Sequence, residues 1–427
     1  MNKKKNTSSA LTIILLILAG EAVFILPFVL QRLFRSTFLE TFTLNQTQLG
    51  SCFSVYGIVA LFSYLFGGPL ADRFRPHLLI SVALILTALG GLYLTTYPTL
   101  LELHILYGFW GFTTIFLFWA AMIKATVIWG GRNHQGMAFG FLDGGRGLVA
   151  ALFGSIGVLM FSLFISKDIE LTSIIERQEA FISVVLYLSY AIIGIAFLVF
   201  FFLRFNTVEN NTPKSIKVFT LENFKIIMKF RTVWLLMIII ICAYYAYKMT
   251  DLFSQYAEEV MLYNKMESAK IGTYLLYMRP VIGVSIGLLA DRTRASLWLS
   301  MGFILMTLTA LIFASGIIDA NGALFFVLSI GIMALGVYSA RVLYFATLEE
   351  GKIPIAITGT AVGFISVVGY TPDIFAGLLY GYFLDAYKGE ETGYQIAFAI
   401  MAGFCFIGLL ASLTFYMRTR NRPIGNL

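Results

Sequence analysis

Charge is scarce in this sequence. Only 12% of its 427 residues are Asp, Glu, Lys or Arg, about half the share of an ordinary soluble domain. Hydrophobic residues make up 59%. Such a chain cannot cover a water-exposed surface, so lipid must solvate most of it. Cysteine is equally rare. Cys52, Cys242 and Cys405 all lie in apolar stretches, which excludes a disulfide framework and offers no metal-ligand spacing. The three histidines, His77, His104 and His134, fall in separate loops or at a rim and cannot form one metal site. No Gly-x-Ser-x-Gly elbow or metalloprotease motif occurs, and Gly144-Gly145-Arg146-Gly147 lacks the Gly-Lys-Ser/Thr element of a phosphate loop. No catalytic residue, metal or cofactor is therefore expected. The chain does not read as an enzyme or an ATP-driven pump. Abundance points the same way: 40 Phe and 38 Gly suit acyl-chain contact and close helix packing.

A helical span needs about 20 mostly apolar residues. Twelve such segments are expected, at 10–34, 47–69, 78–97, 101–128, 137–164 and 181–203, then 233–256, 269–290, 296–315, 323–346, 355–384 and 395–417. The first follows Lys3-Lys4-Lys5 but is too long for a signal peptide core, so it reads as a retained span. The net charge of +7 concentrates in alternate loops, which places both tails in the cytoplasm and leaves no reason to invoke nucleic acid. A polar stretch from Asn206 to Arg231 interrupts the middle. It divides the chain into an N-terminal six-helix bundle (1–204), a cytoplasmic linker (205–231) and a C-terminal six-helix bundle (232–427).

The halves repeat. Gly-Gly-Pro-Leu-Ala-Asp-Arg-Phe-Arg (67–75) matches Ile-Gly-Leu-Leu-Ala-Asp-Arg-Thr-Arg (286–294). Lys-Ala-Thr (124–126) matches Phe-Ala-Thr (345–347), and Gly-Met-Ala-Phe-Gly-Phe (136–141) matches Gly-Thr-Ala-Val-Gly-Phe (359–364). Three matches in order, at nearly one offset, indicate a parallel repeat of six spans whose interface is the natural substrate path. Six plus six spans with Gly-x-Leu-Ala-Asp-Arg-x-x-Arg after the second span resemble the major facilitator superfamily. That resemblance implies an all-α membrane protein of twelve transmembrane helices in two six-helix bundles, working by alternating access. Gly68, Asp72, Arg73 and Arg75, with Asp291 and Arg292 in the echo, are then gating residues; the family's usual glycine before the final arginine is absent, since Phe74 directly precedes Arg75. Trp129 to Gly147 further resembles the sugar-phosphate permease and organic-anion transporter branches. Those branches often carry an arginine in the first span, where this chain has Glu21.

A charge at the bilayer centre costs about 2.5–3.5 kcal/mol on insertion scales, so each needs a reason. Glu21, Arg146 and Arg279 lie near the midplane, roughly 15 Å from their span ends at ~1.5 Å per residue. Arg146 and Arg279, from opposite halves, are expected to clamp a substrate carboxylate, phosphate or sulfonate bidentately. The competing reading is that each pairs with an internal acid; Asp143, three residues before Arg146, is placed to neutralise it. Pro280 removes a backbone bond beside Arg279, and freed backbone at that depth belongs beside protein or a watery cavity. Tyr274 and Tyr277, and Tyr245 and Lys248 on the seventh span, are further substrate contacts. Glu21, an acid in an apolar run that an arginine can approach, is balanced between neutral and charged forms, as proton coupling requires. Gly136, Gly140 and Gly144 form a small-residue packing stripe, and Gly369-Tyr370-Thr371-Pro372-Asp373 signals a broken helix.

These readings combine into a secondary active transporter for a small organic anion, proton-coupled and monomeric, in the bacterial inner membrane among its lipids. The alternatives are a transporter-like sensor that binds without turnover, or a carrier of lipid or neutral solute on the same fold.

Overall fold

The computed structural model describes residues 7–130, 135–164, 173–203, 230–318, 320, 322–351 and 365–420. Among these residues the secondary structure is helical, with no strand. Ten helical segments among the described residues are long and apolar enough to cross a membrane, from Ala10–Leu33 to Thr392–Thr419. Of the other two expected spans, that at 47–69 is covered by the 28-residue helix Gln46–Arg73. That at 355–384 lies outside the described residues up to 364, and its remainder includes the helix Pro372–Ala386. The expected linker falls almost wholly outside the described residues.

Local chemistry sets where the helices begin. Asn45 accepts from the Gln48 amide at 2.7 Å while Gln48 accepts from the Asn45 amide at 2.9 Å, a reciprocal cap on Gln46–Arg73. Ser173 with Glu176 does the same for Ile174–Phe202, and at the start of Leu100–Gly111 the Thr99 amide and hydroxyl both donate to Glu102. Pro76 opens Pro76–Leu94, where its missing N–H costs nothing.

The chain forms two compact units. The first takes in Met1–Asn211 together with Tyr263–Pro280; the second takes in Thr212–Leu262 and Val281–Leu427. Pro280 lies inside the helix Lys265–Arg292, which is shared between the units. In the first unit Thr7–Phe24 packs on Gln135–Phe164, and Pro76–Leu94 packs on Ile174–Phe202. In the second, Ala295–Ala314 packs on Ala323–Glu350 and on Thr392–Thr419. Gly302 makes one such approach feasible: a Cβ there would stand 3.1 Å from the Gly336 carbonyl oxygen. Apolar residues occupy the outside. Leu148, Leu152, Ile156, Leu159 and Leu163 are exposed at three- and four-residue spacing along Gln135–Phe164, the pattern of a lipid-facing stripe.

Several helices are interrupted at membrane depth. Ile25–Val29 around Pro27, and Phe112–Trp119, are π-helical. Thr250–Leu252 is a 3-10 turn carrying Asp251, and the chain turns at Tyr370–Thr371 before Pro372 restarts a helix. Such irregularities concentrate at functional sites.

Candidate functional site

Glu21 and the two midplane arginines meet in the first unit. Glu21 is 4% exposed, Arg146 7% and Arg279 5%. The Arg146 Nε–H donates to Glu21 Oε2 at 3.1 Å. Arg279 Nη1 stands 3.9 Å from the other oxygen, Oε1, so one carboxylate faces both guanidiniums. Arg279 also donates through Nη2 to Asp143 Oδ1 at 3.2 Å. The neighbour of Arg146 on its own helix thus pairs with the other arginine. Asp143 differs from Glu21 in access, with 43% of its side-chain surface exposed.

Glycines beside the charges seat this cluster. A Cβ on Gly20 would stand 3.1 Å from Arg146 Cδ, so the arginine stem lies against the backbone next to Glu21. A Cβ on Gly147 would stand 3.2 Å from Pro280 Cδ and 3.3 Å from Arg279 Cγ. Gly145 similarly meets Ile17, whereas a Cβ on Gly144 would meet nothing within 4 Å. At the described positions of this helix, close packing falls at 145, 147 and 154; the side chains at 136 and 140, two of the three in the expected stripe, lie outside the described residues.

The guanidinium of Arg146 also lies over two rings, 5.3 Å from the Phe24 centroid and 5.8 Å from that of Trp119. Its two terminal amino groups make no hydrogen bond among the described residues, although Nε is bound. Of the tyrosines expected here, Tyr277 shares a 2.8 Å hydroxyl contact with Ser155, and Tyr274 is exposed.

Lys248 and Tyr245 belong to the second unit. Lys248, 2% exposed, lies 3.3 Å from Asp373 and 3.8 Å from Asp251. Tyr244 donates its hydroxyl proton to the Asp373 carboxylate, with both oxygens at 3.0 Å. Tyr245 is fully buried, stacked on Phe404 at 4.2 Å, and its hydroxyl finds no partner among the described residues. Arg341 covers the Tyr247 ring at 3.9 Å.

Of the expected gating residues, the side chains of Gly68, Asp72 and Asp291 lie outside the described residues, and Arg73, Arg75 and Arg292 are exposed. Two contacts at these helix ends were not expected from the sequence. The Lys124 ammonium donates to the Ala71 carbonyl at 2.6 Å. Glu350 accepts from the Ser296 amide at 3.1 Å and from its hydroxyl, placing an acid at the N-terminus of Ala295–Ala314. Phe24 and Trp119 were likewise missed as partners of Arg146; the pairing of Gly20 with Glu21, and of Arg146 with Gly147, was the available signal.

Helices long and apolar enough to cross a membrane, with ionisable groups buried among them, define an integral membrane protein. The family model of the Major Facilitator Superfamily matches residues 10–376, and the chain belongs to that superfamily. It is 28% identical over 422 residues to the Escherichia coli (strain K12) inner membrane protein YihN, covering 96% of this chain and 95% of that protein. It is 26% identical over 380 residues to the inner membrane protein YqcE of the same organism, covering 87% and 86%. Among solved structures it resembles a bacterial homologue of the human lysosomal transporter Spinster in an inward-facing, unoccupied conformation, with a TM-score of 0.75 at 15% identity, covering 98% of this chain and 100% of that one. It also resembles the nucleoside transporter NupG, with a TM-score of 0.69 at 14% identity, covering 96% and 99%. At these identities the structural likeness is one of fold.

Proposed function

We propose that this transporter carries a small organic anion, and that Glu21 couples its passage to a proton. The observation behind this reading is the arrangement around Arg146. It is buried and held by Glu21 through Nε alone, and its terminal amino groups have no hydrogen-bond partner among the described residues. Two parallel N–H donors are what a carboxylate, phosphate or sulfonate recognises. Arg279, turned partly toward the accessible Asp143, supplies a second cation that a bound anion can recruit.

Two bases and two acids balance in this cluster. An incoming anion unbalances it, and a proton on one of the acids restores neutrality at a depth where net charge is costly. Glu21 stands between both cations and is the acid whose partners the substrate would engage. Proton symport follows from this bookkeeping for a monoanion. We further propose an inner-membrane location with both tails in the cytoplasm, and a division into N-terminal and C-terminal bundles around the polar stretch 205–231.

The balanced charge also accommodates a neutral solute, and the fold is shared with a nucleoside transporter. Equilibrium binding separates the two. Purified protein is titrated with glucuronate, glucose 6-phosphate and uridine, each against the wild type and Arg146→Gln. The anion reading expects the first two to bind and to weaken at least tenfold in the variant. Uridine binding that is indifferent to Arg146→Gln, with no anion binding, would favour the neutral carrier.

A further inference from the structure

Glu21 and Phe24 are three residues apart at the end of Thr7–Phe24, so they lie on one helix face. A face carrying a buried carboxylate does not look into lipid, which gives Phe24 the same inward outlook, and Phe28 adjoins it from the π-helical turn that follows. Phe24 and Phe28 are only partly covered, as are Trp119 and Tyr64. Their rings run in sequence: Phe28 to Phe24 at 6.4 Å, Phe24 to Trp119 at 6.3 Å, Trp119 to Tyr64 at 6.4 Å. Four helical elements contribute, and two of them are π-helical: Ile25–Val29 contains Phe28 and Phe112–Trp119 ends at Trp119. The wider turn re-aims side chains that an unbroken α-helix would present elsewhere.

Arg146 sits at this wall, within 6 Å of the Phe24 and Trp119 centroids. A solute anchored on its terminal amino groups would lie beside these rings. We infer that the substrate bears its anionic group on a ring with an apolar face, as in a cyclic sugar acid or sugar phosphate, and that Trp119 and Phe24 select for that ring. Ring C–H groups pack on aromatic faces. An inorganic anion or a short open-chain acid would satisfy Arg146 and leave the rings uncovered. This inference rests on the anion reading above, since the ring is selected only once the charge has been bound.

Matched pairs of probes test it: glucuronate against open-chain gluconate, and glucose 6-phosphate against glycerol 3-phosphate. Dissociation constants are measured on the intact protein in detergent, for the wild type, Trp119→Leu and Trp119→Phe. The expected result is at least tenfold tighter binding of the cyclic member in one or both pairs. Trp119→Leu should abolish that ratio by weakening the cyclic member alone, and Trp119→Phe should restore most of it. Anions that bind equally well in both forms overturn the ring inference and leave the anion reading standing. A Trp119→Leu loss shared equally by both members assigns Trp119 to holding Arg146 and also overturns the inference. Binding of uridine but of no anion overturns the anion reading itself, and failure of every probe counts against both. If Trp119→Leu does not fold, Phe24→Leu carries the same comparison.

Discussion

Glu21 gives one oxygen to each of two guanidiniums, at 3.1 Å and 3.9 Å. Its removal and its neutralisation should therefore differ. Glu21→Gln keeps a polar group between the arginines, and it is expected to exchange substrate across proteoliposome membranes without accumulating it against a gradient. Full accumulation in that variant, driven by an acid exterior, would show that the proton travels by another residue. Lys248 poses a different problem. Its ammonium is buried between Asp373 and Asp251, and breaking a buried pair by deleting one partner costs on the order of 3–5 kcal/mol. Lys248→Met is expected to lower the melting temperature in detergent much further than Asp251→Asn, which leaves the closer Asp373 pair intact. Equal melting of both variants would mean that the ammonium is not holding the second unit together.

Among the elements, two features invite substitution. Glu350 satisfies the Ser296 amide at the start of Ala295–Ala314. Loss of a helix-cap acceptor costs about 1 kcal/mol, so Glu350→Ala should show a small, reproducible drop in thermal stability, with Glu350→Gln retaining most of it. Gly147 lies against the stem of Arg279. A Gly147→Val side chain would push Arg279 from its place, and anion binding should weaken severalfold while secondary structure by circular dichroism stays unchanged. The helix starts rest on local chemistry: Asn45 with Gln48, Thr99 with Glu102 and Ser173 with Glu176 act within four residues. The interruptions are of another kind. Pro27 and Pro372 mark two of them, but nothing local in Phe112–Trp119 announces a π-helix. That distortion reflects packing against neighbours, which a single segment does not encode.

For the molecule as a whole, superfamily membership predicts turnover rather than binding alone. Counterflow of a bound anion in proteoliposomes is the expected outcome, and saturable binding without exchange would indicate a sensor. The proposed topology makes a separate prediction: reporter groups fused to the two ends should both respond from the cytoplasmic side in intact cells. A reporter exposed on the opposite side at one end only would require an odd number of crossings.

The sequence alone determined that this is an all-helical membrane protein of the Major Facilitator Superfamily. Hydropathy, repeated Leu-Ala-Asp-Arg motifs and scarce charge are properties of segments, and lipid imposes the same demand on every apolar run of sufficient length. It also singled out Glu21, Arg146 and Arg279, because ionisable residues at membrane depth are few. The tertiary structure decided who faces whom. Asp143 is three residues from Arg146 yet pairs with Arg279, Glu21 is divided between both arginines, and Phe24 and Trp119 close over Arg146. All but the Trp119–Arg146 contact join residues more than 120 positions apart, and they depend on rotamers and close approaches at Gly20 and Gly147 that exist only once the helices have packed.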